Sequence, residues 1–380
     1  MGAHLISGGR LVTPDGVLED GWLLIEDGLI ADLGSGAPPA TYRVHDARGA
    51  WVVPGFIDIH CHGGGGSAFT SLDPADILRA AHTHARHGTT TLLASLVSAT
   101  VPDLVEQIAA LREHVEDGLL AGIHLEGPFI AEARCGAHDP AILQPPYRDA
   151  VDTLLATGPV RMVTLAPELE GSVRAVRQIV DAGAIAAIGH TDATEALVLP
   201  AVDAGATVAT HLFNGMRPLH HREAGPIGAL LDDERVSVEL ICDLVHLSPT
   251  VVRLAAQHAG PNRTVLVTDA IAAAGAGDGR YLVGGITVEV LDGVPLIVGG
   301  DSLAGSTLTM DAAFRNLVKI CGMGILDAVD ATATRPAELL GLAKTTGSLT
   351  KGLAADVVLL DPDLCLDAVL RRGEWVNVDA

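Results

Sequence analysis

Lysine is almost missing from this chain. Three occur, at 319, 344 and 351, against 21 arginines, so no site assembled from the first 318 residues can use one. Cysteine is sparse and unpaired in pattern: Cys61, Cys135, Cys242, Cys321 and Cys365 contain no C-x-x-C, which excludes a zinc knuckle and a disulfide framework and points to reduced thiols. No apolar run reaches membrane-spanning length. The opening "MGAHLISGGR" has neither a charged region followed by an apolar one nor the hydroxyl residue of a myristoylation signal. These absences lead us to expect a soluble, cytoplasmic protein. Basic charge is short as well. A formal net charge of −23 and a pI near 4.9 repel nucleic acid and anionic lipid at long range, and an anionic small molecule would need a local cluster of donors.

What is present is apolar and rhythmic. With 48% hydrophobic residues in 380, the chain can bury one large core, or a large and a small one. The first fifty residues read as short strands broken at Gly, Pro and Asp ("LISGGRLVTP", "GWLLIEDGLIADLG"). The pattern then becomes strand and helix in alternation. Eight apolar runs, "GFIDIH", "TTTLLASL", "LLAGIHLEG", "RMVTLAPE", "AIAAIGH", "ATVATHLFN", "VSVELICD" and "TVLVTDA", are separated mostly by helix-like segments, several of which begin with Asp or Ser and end at Gly, as caps require. Eight such units predict an α/β fold, a closed (β/α)8 TIM-like barrel. A doubly wound sheet stays open, although no G-x-G-x-x-G follows the first strand to hold a dinucleotide. A Gly-rich hairpin ("GRYLVGGITVEVLDGVPLIVGG") interrupts after the eighth strand, and "GSLTKGLAADVVLLDPD" returns to strands. The expected division is a β-sandwich domain from residues 1–53 plus 343–380, beside a catalytic barrel of residues 54–342.

Barrel enzymes draw their chemistry from the C-terminal strand ends. Here those ends carry His60 and His62, His124 and Glu126, His190, His211, Asp243 and His246, and Asp269. Side chains alternate along a strand, so His60 and His62 share a face, as do His124 and Glu126. Imidazole with carboxylate suits zinc or a similar divalent ion with room left for water, and Asp269 is placed to move a proton. An H-x-H in a Gly-rich turn can equally be structural; its company at the other strand ends is what favours a metal. His82, His84 and His87 fall along a helix and read as a solvated or packed face, His4, His45, His114 and His258 as surface or packing residues, and Cys61 and Cys242 as small core residues.

In this order "PGFIDIHCHG", "IHLEGPFI", "GHTDAT", "THLFNGM", "LVTDAI" and "GLAADVVLLD" resemble the amidohydrolase superfamily. Within it, "HLEGPFI" followed by "GAH", and "THLFNGM" followed by "REAG", resemble the N-acetylglucosamine-6-phosphate deacetylases. The resemblance spans essentially the whole chain. It implies a homodimer that removes acetate from an amino-sugar phosphate, a small-molecule substrate, with no nucleic-acid or membrane partner. It implies Glu126, His190 and His211 as principal metal ligands and His60 and His62 as a second site, hence one or two divalent ions per subunit, zinc foremost, with iron, manganese or cobalt also acceptable. It further implies Asp269 as general base and acid, His246 as the group that polarises the carbonyl, His138 as a sugar contact, and Asn214, the Gly215 backbone and Arg222 as phosphate contacts, Arg222 reaching across the dimer. Cys135, three residues before His138, is expected to have a minor part in the substrate loop or to lie inert.

Two other readings stay in view. A cyclic amidase or deaminase can use the same barrel, but cyclic amidases of this superfamily commonly bridge two metals with a carboxylated barrel lysine, and none precedes Lys319. A non-catalytic scaffold is the other, although such relatives usually lose ligands that this chain keeps.

Overall fold

The computed structural model describes residues 4–40 and 43–377. The eight barrel strands fall on the eight apolar runs: Phe56–Asp58, Thr89–Val97, Gly122–Glu126, Val160–Leu165, Ile185–Ile188, Val208–Ala209, Ser237–Ile241 and Thr264–Val267. They pair in chain order, each parallel to the next. The register continues from the eighth strand to the first just past their ends. There Cys61 bridges Ala270, the Asp269 N–H donates to the His60 carbonyl at 2.8 Å and the His62 N–H to that of Ala270 at 2.8 Å. The buried Asp58 carboxylate completes the seam by accepting the Thr268 hydroxyl at 2.6 Å and the backbone N–H groups of Thr268 and His60.

One helix follows each of the first seven strands, and side-chain caps start two of them. Pro74–Arg86 begins after Asp73, whose carboxylate accepts the Ala75 N–H; Val101–Glu116 begins after Thr100, whose hydroxyl accepts the Asp103 N–H. Their apolar faces close over the barrel wall in one large core that includes Phe56, Leu92, Leu104, Ile123, Val163, Leu240 and Phe314. The predicted hairpin is a three-stranded antiparallel sheet, Gly279–Val283, Ile286–Leu291 and Val294–Ile297, at the barrel mouth.

The terminal strands form one separate sheet. Five strands between His4 and Pro54 join Val357–Leu360, Leu366–Arg371 and Glu374–Val376, mostly antiparallel. The sheet curls until Ile30 bonds Leu353 and Gly352 across its edge, and so encloses a second core with Leu11, Leu23, Val52 and Leu359. Only Gly55 separates its strand Trp51–Pro54 from the first barrel strand. A Cβ there would fall 2.3 Å from the Thr90 hydroxyl.

Candidate metal centre

The strand ends converge on Glu126. One carboxylate oxygen, Oε1, lies 3.0 Å from His190 Nε2 and 2.9 Å from His211 Nε2; the other, Oε2, lies 3.1 Å from His62 Nε2. His60 Nε2 is 3.5 Å from Oε1, and Asp269 Oδ1 stands 3.4 Å from His60 and 3.3 Å from His62. All six residues are buried. Three of them leave the strand in unusual backbone: His190, His211 and Asp269 have φ of +47°, +27° and +49°. Non-glycine residues seldom adopt such angles, and they concentrate where a side chain must be aimed.

The far nitrogen of each ring decides what the near one presents. His60 Nδ1 is 3.1 Å from a Glu239 carboxylate oxygen, His62 Nδ1 is 3.2 Å from the Ser95 carbonyl and His190 Nδ1 is 2.7 Å from the Arg134 carbonyl. Each of these partners only accepts, so Nδ1 carries the hydrogen and a neutral ring turns a bare Nε2 lone pair inward. The Nε2 atoms of His60 and His62 are 3.1 Å apart, as are those of His190 and His211. Lone pairs so close repel unless a cation lies among them. The donor set therefore suits divalent metal: Glu126, His190 and His211 would hold one ion, and Glu126, His60 and His62 would hold a second, each with a histidine whose second nitrogen is anchored.

Electrostatics agree. Burial alone would push the histidines down and the carboxylates up, but mutual attraction wins. His62 is raised to about 9, chiefly by Asp269 and Glu126 acting against burial. Glu126 is held well below the usual carboxylate range, burial being outweighed by His60 and by hydrogen bonds from His138, His190 and His211. Protons thus stand where a metal would, and metal binding should release them.

Around the centre opens a cavity of about 430 Å³, lined by His62, Glu126, His138, His190, His211, Asn214, Gly215, His246 and Asp269, with Arg134 and residues 301–303 at its rim. His138 and His246 face it in different states. The Ser98 backbone N–H donates to His138 Nδ1 at 3.2 Å, so a neutral His138 carries its hydrogen on Nε2, 3.4 Å from Glu126; burial, outweighing the pull of Glu126, keeps this ring below the ordinary histidine value. His246 instead bonds Asp243 through Nδ1 at 2.7 Å, and Asp243, outweighing burial, raises it. Beneath the centre the barrel interior is polar. His124 bonds Ser95 and Thr164, and Thr164 bonds Thr210. His124 therefore lies below the metal ligands, although it shares the strand with Glu126.

Residues 51–376 match the family model described as "Amidohydrolase family". The chain belongs to the amidohydrolase family. An N-acetylgalactosamine-6-phosphate deacetylase of Escherichia coli O157:H7 is 36% identical over 380 residues, which cover 98% of this chain and 99% of that protein. The N-acetylglucosamine-6-phosphate deacetylase of Bacillus subtilis (strain 168) is 34% identical, over 97% and 96%. Among solved structures, a mutant N-acetyl-D-glucosamine-6-phosphate deacetylase from Mycobacterium smegmatis, in complex with N-acetyl-D-glucosamine-6-phosphate, is similar with a TM-score of 0.95 at 45% identity, over 99% of this chain and 100% of that one.

In this amidohydrolase, then, His60, His62, Glu126, His190, His211 and Asp269 share one centre, and His138, Asn214, Gly215 and His246 share its cavity. Arg222 is exposed beside His221 and does not line the cavity of the single chain. Cys135 does not line it either, although its neighbours Arg134 and Gly136 do. Burial raises the Cys135 thiol, so the loop supplies no stabilised thiolate, and the expected substrate contact finds no support in the cavity. Glu239, Ser95 and Ser98, which orient the ring nitrogens, were not anticipated. A lone charge inside the apolar run "VSVELICD" was the available signal for Glu239.

Proposed function

We propose that this chain hydrolyses the acetamide of N-acetyl-D-glucosamine 6-phosphate to acetate and D-glucosamine 6-phosphate. The observation that carries the reading is the convergence of five imidazole nitrogens, of His60, His62, His138, His190 and His211, on the two oxygens of Glu126 in an open cavity, with Asp269 alongside. The metal ligands are His60, His62, Glu126, His190 and His211, and zinc is the ion we expect, one or two per subunit. Divalent metal supplies Lewis acidity, which polarises the amide carbonyl and makes water acidic near neutral pH.

The chain does the rest. Asp269 takes a proton from the attacking water as its oxygen bonds to the acetyl carbon, then hands that proton to the sugar nitrogen as the carbon–nitrogen bond breaks. Its own value is held low, the nearby His60 and His62 overcoming burial, so it starts as the free base. The carbonyl oxygen needs a donor. His138 offers one in its neutral form and holds that Nε2 3.4 Å from Glu126, at the centre itself, whereas His246, with Nδ1 committed to Asp243, donates from Nε2 only in the charged form, which Asp243 favours. We therefore assign carbonyl polarisation to His138 and sugar positioning to His246, the reverse of the expectation from resemblance.

Beside the centre, Asn214 and Gly215 line the cavity; the N–H groups of His211, Leu212 and Asn214 are bonded within the protein, which leaves the Gly215 backbone and the Asn214 side chain to meet an anion. A Cβ on Gly215 would sit 2.9 Å from His190 Nδ1, so the chain passes too close for any other residue. We place the phosphate there with Asn214, and with Arg222 entering from the second subunit of a homodimer; an arginine fork suits phosphate. No helix among the described residues is long and apolar enough to cross a membrane, and a phosphorylated sugar substrate goes with a cytoplasmic enzyme.

Acetate release should be measured from N-acetylglucosamine 6-phosphate, its unphosphorylated sugar and N-acetylgalactosamine 6-phosphate. Turnover confined to phosphorylated sugars is expected. Equal turnover without phosphate would sink the phosphate subsite, and a preference for the galactose epimer would move the substrate to that of the E. coli relative.

A further inference from the structure

We propose that Glu239 is a positioning residue that holds His60 in its ligating form and so governs occupancy of the His60–His62 half of the centre. This rests on the two-metal reading above. Glu239 lies mid-strand in Ser237–Ile241 and is wholly buried. Its Oε2 bonds His60 Nδ1 at 3.1 Å and accepts the backbone N–H of His211 at 3.0 Å, while Oε1 has no partner among the described residues. One oxygen thus ties the first strand to the sixth, and through them the two halves of the centre. Among the described residues no lysine or arginine pairs with this carboxylate, and His60 is its one ionic neighbour. A charge so buried is expensive to keep beside apolar Val238 and Leu240 unless positive charge is close by. Cation in the His60–His62 half, one imidazole away, meets that need.

The chemistry is specific to His60. A carboxylate only accepts, so Nδ1 keeps its hydrogen and Nε2 is left bare toward His62 and Glu126. A carboxamide has an oxygen that can do the same. In Glu239→Gln the amide oxygen can take the place of Oε2, which meets both His60 Nδ1 and the His211 N–H, and the NH2 group falls at the unpartnered Oε1 position, so the tautomer is kept. In Glu239→Leu Nδ1 loses its acceptor, and the ring hydrogen is free to move to Nε2, the nitrogen that must ligate. The His190 ring and the His211 ring do not touch Glu239 through their ligating nitrogens, so one half of the centre should fail while the other persists. A residue that merely supported the fold would weaken both.

The test is zinc titration of metal-stripped protein against a chromophoric chelator, with bound zinc counted by mass spectrometry, for wild type, Glu239→Leu, the conservative Glu239→Gln and His60→Asn. Wild type should take two zinc ions per subunit. In Glu239→Leu one affinity should fall by about 10- to 100-fold, as loss of such outer partners does, with the other unchanged, and Glu239→Gln should hold both near the wild-type values. His60→Asn should lose the same ion as Glu239→Leu. Two ions at wild-type affinities in Glu239→Leu would overturn the role of Glu239 alone, as would equal weakening of both. Fewer than two ions in wild type would overturn the two-metal reading and this inference together.

Discussion

Two groups of buried metal-type ligands flank the end of the first barrel strand, and only one is built to hold a metal. Toward the mouth, His60 and His62 point Nε2 at Glu126 and Asp269. Behind them, Asp58, Cys61 and His84 also lie within ligand reach of one another, all fully buried. The difference is what each ligand atom is already committed to. His84 Nε2 is 2.8 Å from the Gly63 carbonyl and must carry a hydrogen there, 3.1 Å from the Cys61 sulfur. The Asp58 oxygens are taken by Thr268 and the His60 N–H. Burial, against the help of Gly63, holds His84 down at about 4 and pushes the Cys61 thiol well up. Residue type and burial are shared by the two groups. A lone pair aimed inward by an acceptor behind the ring belongs to the front group alone, and that is what makes a metal site.

The comparison can be broken most severely at Asp269. Asp269→Asn should lower kcat about 10³-fold, the scale of a lost general base, with metal content unchanged; loss of metal instead would make Asp269 chiefly a ligand. His138→Asn should come next, at about 10²-fold in kcat, as for one oxyanion donor. A larger kcat loss in His246→Asn than in His138→Asn would return the carbonyl to His246.

The pH dependence of metal-free protein sharpens the contrast further. The folded value of His62, about 9, lies above its ordinary 6.5, so its contribution to stability is complete below 6.5 and disappears as pH rises through 9. Asp58, raised by burial to about 7, acts in the same direction but has finished by then. His84, lowered, acts in the opposite sense and only below 6.5. Melting temperature should therefore fall between pH 7 and 9 in stripped protein and change little once metal replaces the protons. A flat profile in stripped protein would contradict the raised histidines. The smallest effect is expected behind the strand: His84→Gln should keep both metals and activity within about twofold, and lose about 1–3 kcal/mol of unfolding free energy for the disrupted buried hydrogen bond. Loss of metal there would undo the distinction between the two groups.

The barrel was legible because its strands are apolar on both faces and two of the helices between them start at side-chain caps, so eight runs and eight strands coincide. The ligands were legible because period-two alternation puts His60 with His62 at a strand end. Alternation does not give depth, however. His124 and Glu126 share a face, yet one strand step lower His124 meets Ser95 and Thr164 and leaves the centre. Nor does sequence reveal tautomers. The Ser98 N–H that fixes His138 comes from 40 residues away and the Glu239 carboxylate that fixes His60 from 179, and only the closed barrel brings them together. His84 read simply as part of a helix face because its partner, the Gly63 carbonyl, lies in a turn.

The most direct measurement is acetate release from N-acetylglucosamine 6-phosphate by protein stripped of metal and then titrated with zinc. The account predicts no turnover from stripped, folded protein, and turnover that rises with zinc bound at the Glu126 centre and stays absent in Glu126→Gln. Full turnover by stripped protein, or by Glu126→Gln, would contradict it.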